Sequence, residues 1–78
     1  MTRDEWIATF ARQAGVEPPS VEEIRELLEL AGTAAHASER TAAPLACWLA
    51  GRSGIALPQL REAAGRVGGG EPGPAAGA

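Results

Sequence analysis

Ser20-Val21-Glu22-Glu23-Ile24-Arg25-Glu26-Leu27-Leu28-Glu29-Leu30-Ala31-Gly32-Thr33-Ala34-Ala35 decides the fold. Serine followed three places later by glutamate is a capping box, in which each end of the pair satisfies a free backbone donor of a starting helix. Val21, Ile24, Leu27, Leu28, Ala31, Ala34 and Ala35 then fall within one arc at helical spacing, with Glu22, Arg25, Glu26, Glu29 and Thr33 on the other side. The pattern predicts a helix from about Val21 to about Ser38, the strongest in the chain. Gly32 is inside it and leaves the backbone open to a close neighbour.

Upstream, Thr2-Arg3-Asp4-Glu5 repeats the capping box, and Trp6, Ile7, Phe10, Ala11 and Ala14 follow on one stripe. Gly15 suits the left-handed residue that closes such a helix, and Val16-Glu17-Pro18-Pro19 cannot continue it. Downstream, Glu39 to Ala43 reads as a connection, with Pro44 in the first turn of a third helix carrying Leu45, Trp48 and Leu49 on a shared face. Gly54 ends that helix. Leu57-Pro58 opens a short fourth one bearing Leu60, Ala63, Ala64 and Val67.

The fold class expected is therefore all-α: a compact bundle of about four short helices over residues 2–67. Residues 68–78, rich in Gly, Pro and Ala, read as a disordered tail. No internal repeat and no alternating strand pattern interrupts this reading.

Composition narrows the function. In 78 residues there is room for one small domain, and aromatics at 4% against 45% hydrophobic leave mainly small apolar side chains for its core. Net charge is -3 with arginines scattered singly, which argues against a nucleic-acid partner. One cysteine forms no internal disulfide, and no Cys/His cluster offers a metal site, so neither metal nor cofactor is expected. The acidic amino end is unlike a signal peptide, and no apolar run approaches a membrane span; a cytoplasmic protein with no membrane partner is the expectation.

His36 and Arg40 are the most specific chemical pair, at i,i+4 and both able to donate to an anion. Against this stands a plainer role, in which both satisfy the last carbonyls of a helix and its negative dipole end. Cys47 reads as a small apolar filler rather than a reactive thiol, Trp6 and Trp48 as core, and Glu22, Glu23, Glu26 and Glu29 as a solvated face. Nothing nominates a nucleophile. The chain reads as no enzyme, with no catalytic residue.

Trp6, the Leu27-Leu28-Glu29-Leu30-Ala31 run, Ala35-His36 with Glu39-Arg40, Ala42-Ala43-Pro44-Leu45 and Leu49-Ala50-Gly51 together give a resemblance. Over residues 4 to about 65 the chain resembles a small actinobacterial domain of unknown function, found alone or behind the molybdenum-cofactor guanylyltransferase domain. The spacing of His36, Arg40, Ala43-Pro44 and Gly51 is its most specific part. Cys47-Trp48 and the long Gly/Pro tail depart from the pattern.

The resemblance implies a link with molybdopterin-guanine dinucleotide synthesis, as an accessory module docking on the guanylyltransferase or a related enzyme. Gly32, His36, Arg40 and Arg52 are the candidate partner- or anion-binding residues. The chain lacks the Gly-rich loop, sheet and paired acids of the transferase itself. Two alternatives remain open: a ligand site in which His36 and Arg40 hold a phosphate, nucleotide or pterin, and a homodimer or larger helical assembly through Ala43, Cys47, Ala50 and Gly51.

Overall fold

The computed structural model describes residues 1–67. The expected tail, residues 68–78, lies outside the described residues. Four helices follow in chain order: α1 Arg3–Ala14, α2 Val21–Ala37, α3 Ala42–Ser53 and α4 Leu57–Arg66, with no strand among the described residues.

Both expected capping boxes are formed. The Glu5 amide donates to Thr2 Oγ1 at 3.1 Å and the Thr2 amide to Glu5 Oε1 at 2.9 Å. Ser20 and Glu23 repeat the exchange at 3.1 and 2.8 Å. α1 and α3 close on Gly15 and Gly54 at φ 77° and 73°, left-handed values that an L side chain adopts only with strain. Pro58 sits in the first turn of α4, where its missing N–H is not required.

α2 is the central element: it packs against both α3 and α4, while neither α1 nor the α3–α4 pair has a comparable interface. Leu30, at 4% exposure, is the one large side chain in the buried set; its companions are Ala11 and Ala50. The packing face of α2 is thus rotated from the expected arc, which omitted Leu30 and included Leu28 and Val21, both exposed. The reason lies in α3, whose small-residue side, Ala46 and Ala50, turns toward α2, because small side chains let two helix axes approach closely.

α4 is held to α2 by charge as well. Arg61 Nε donates to Glu26 Oε1 and its Nη1 to Glu29 Oε1 at 2.6 Å. Glu26 and Glu29 are therefore not simply a solvated face. Their partner stands more than thirty residues away, beyond the reach of any i,i+4 reading. The hydrogen bond that Arg61 donates to Glu26 raises the Arg61 pKa above its ordinary value, with desolvation acting in the opposite direction.

Candidate functional site

Burying the small face of α3 puts its large side chains outside. Leu45, Trp48 and Leu49 are all exposed, Trp48 at 61%. The Arg52 guanidinium lies 4.9 Å from the centroid of the Trp48 ring, a cation–π stack one turn further along. Leu45, Trp48, Leu49 and Arg52 stand at i, i+3, i+4 and i+7, so they form one continuous stripe. The expectation that Trp48 belongs to the core is corrected here, and Trp6, at 54% exposure, is corrected with it.

Beside the stripe runs an apolar groove of about 540 Å³ between α3 and α4. Leu30 and Ala50 form its floor, Leu49 one wall, and Leu60, Ala64 and Val67 the other. Among the described residues Arg52 is the only charged one lining it. A second apolar hollow of about 340 Å³ continues it toward the carboxyl end of α2, past Ala34, Ala37 and Leu45. Together they make a long greasy surface with almost no polar partner to fix a small ligand, a shape suited to a protein segment.

The four expected site residues are not gathered into one place. Gly32 and His36 share a side of α2 one turn apart, and a Cβ built on Gly32 would meet nothing within 4 Å. His36 is exposed in the last turn. α2 ends at Ala37, and Ser38 at φ -139° and ψ -100° leaves the helical path, so Arg40 does not continue the i,i+4 line from His36. Instead the Arg40 carbonyl accepts from the Ala43 amide at 3.1 Å as α3 begins. Arg52, near the far end of α3, is roughly 15 Å further along that helix at 1.5 Å per residue. It belongs with Trp48.

Cys47 is half-buried beside Glu23, Leu27 and Leu57, at the opposite end of α2 from His36. Burial pushes its thiol up, which suits a filler and not a nucleophile. Of the small residues on α3, Ala50 is buried, Ala43 and Cys47 are half-buried and Gly51 is exposed. Sequence reasoning missed the Trp48–Arg52 stack and Arg61. The first was readable as a cation four residues after an aromatic ring, whereas the second had no local signal.

A family model described as Domain of unknown function (DUF6457) matches residues 1–72, nearly the whole chain. The chain belongs to that family. The match confirms the coarser part of the resemblance, a small domain of unknown function, and the α2–α4 unit with its outward stripe lies wholly inside the matched residues. Comparison with curated proteins gives no match, and comparison with solved structures gives none. Among the described residues no three His, Cys, Asp or Glu side chains form a potential metal site. No helix among them is long and apolar enough to cross a membrane.

Proposed function

We propose that this chain is a non-enzymatic interaction module that docks on the molybdenum-cofactor guanylyltransferase or a close pathway partner, accompanying molybdopterin-guanine dinucleotide synthesis in the cytoplasm. One observation carries the docking role: α3 buries its alanines and presents Leu45, Trp48 and Arg52 outward. Trp and Arg are the residues that most often dominate a binding interface. The choice of partner rests on the resemblance of Leu27–Ala31, His36, Arg40, Ala43-Pro44 and Gly51 to the domain found behind that enzyme.

In this reading Trp48 enters a pocket on the partner, with Arg52 held against its ring and aimed at a partner acid. Half-buried Gly32 and exposed His36 and Arg40, at the other end of α2–α3, form the polar edge of the contact. Calorimetric titration of the full chain with the guanylyltransferase tests it. The expected result is saturable binding that Trp48→Ala weakens by about tenfold or more, the scale of an interface hot spot. A folded chain that gives no heat with the enzyme refutes the proposal.

A further inference from the structure

α4 is attached to the rest of the fold on one side only. It packs on α2 and has no comparable interface with α3, from which the apolar groove separates it. None of its ten residues is buried: Leu57, Leu60, Ala63 and Ala64 are half-covered, and the others apart from Arg61 are exposed. The helix is also weak by itself. Ala56 offers no side-chain cap, no acid stands in the first turn, and Gly65 lowers helix propensity near the other end. A helix of this length is marginal in water unless it is packed against something. α2, by contrast, has a capping box, seventeen residues and two helices against it.

One side chain stands against this light packing. Arg61 crosses to α2 and donates to Glu26 and Glu29, which lie three residues apart and so face it together. Among the described residues no other hydrogen bond joins α4 to α2. The Glu26 side chain is only 15% exposed, so removing Arg61 would leave a largely covered carboxylate without its partner, a heavier loss than that of an exposed pair. Between α3 and α4 the link is three residues long, beginning at Gly54 with φ 73° and continuing through Ile55 and Ala56 outside any helix. Rotation about this link swings α4 off α2 without breaking the α2–α3 packing.

We infer that α4 is a strap latched by Arg61: it leaves α2 and unwinds as one unit, hinged at Gly54–Ala56, while α2 and α3 stay paired. Docking and helix formation are coupled, because a ten-residue helix without a cap does not persist once its one packed side is lost. The opening bares Leu30, the floor of the groove, and leaves Ala50 on α3 facing the space that α4 filled. Arg61 sets how often this happens, since the apolar contacts of α4 come from one leucine pair and two alanines. The strap works within one chain and needs no partner.

Amide hydrogen exchange on the full chain, followed by NMR over a series of low urea concentrations, tests it. The amides of Arg61 to Arg66 should exchange through one shared opening, about tenfold or more as populated as the opening that frees Leu27 to Ala31 of α2. Its urea dependence should be smaller than that of α2, because less surface is exposed. Arg61→Met should raise the population of the α4 opening about threefold to tenfold. Glu26→Gln acts through the same bond, so the double variant should be no more open than Arg61→Met alone. α4 amides as protected as those of α2, or exchanging at unrelated rates, overturn the strap, and that comparison is made in the unaltered chain and needs no variant to fold. Effects of Arg61→Met and Glu26→Gln that simply multiply overturn the latch.

Discussion

Leu30→Ala is the most revealing single change. Among the described residues Leu30 is the only large side chain below a tenth exposed, so the α2–α3–α4 unit is centred on it. Buried Leu→Ala changes cost about 2–5 kcal/mol, the upper values belonging to closed cavities that cannot collapse. Leu30 borders the α3–α4 groove, which water reaches, so the lower end applies, about 2–3 kcal/mol. Over the 67 described residues the whole stability amounts to about 3–10 kcal/mol. With a urea dependence of about 1 kcal/mol per M, the midpoint falls by about 2 M or more, and a chain whose stability is near about 3 kcal/mol becomes partly unfolded in buffer. Circular dichroism during a urea titration reads this directly. Leu28→Ala is the internal control: the same residue type on the same helix, 54% exposed and on the other side, with an expected loss under about 1 kcal/mol. Equal losses for the two variants would refute the assignment of the core.

Three further outcomes follow from named features. Gly32→Ala stabilises the isolated chain by up to about 1 kcal/mol, since the new methyl meets nothing within 4 Å, whereas Gly54→Ala at φ 73° costs about 1 kcal/mol or more; thermal melts separate the signs. Ser20→Ala removes the cap of the central helix and lowers global stability by about 1 kcal/mol, but Thr2→Ala frays only α1, a contrast that amide exchange resolves. Because burial raises the Cys47 pKa, the fold favours the neutral thiol. Its stabilising effect is present below the ordinary thiol pKa of about 8.5 and is lost as pH rises from there through the folded value. Alkylation of Cys47 should accordingly require higher pH than alkylation of a free cysteine, and Cys47→Ser should remove this part of the alkaline loss; a midpoint at or below the free thiol's would contradict it.

Much of the fold was legible because its signals are local. Capping boxes at Thr2 and Ser20, left-handed glycines at 15 and 54, and Pro58 each act within four residues, and each is where the sequence pattern places it. What was not legible is rotation. A periodic stripe says that a helix has an apolar side, but α2 and α3 each carry apolar residues around more than half of their circumference. Which arc is buried then depends on how closely two axes approach, and the alanines of α3 allow a closer approach than Leu45 and Trp48 would. Arg61 was hidden for a related reason: its two glutamates are neighbours only once α4 returns alongside α2. In the candidate site, the His36–Arg40 spacing suggested a shared face, yet the break at Ser38 separates them, and the exposed aromatic stack formed where a core residue was expected.

The central claim, that the outward face of α3 exists to meet another protein, is tested most directly by the emission of Trp48 alone. In a Trp6→Phe chain, Trp48 is the single reporter, and it begins largely in water at 61% exposure. Addition of the guanylyltransferase should shift its emission to the blue in a saturable way as the ring is desolvated, with an Arg52→Ala change weakening the response. Emission that stays at the solvent-exposed wavelength with the enzyme in large excess would contradict the account.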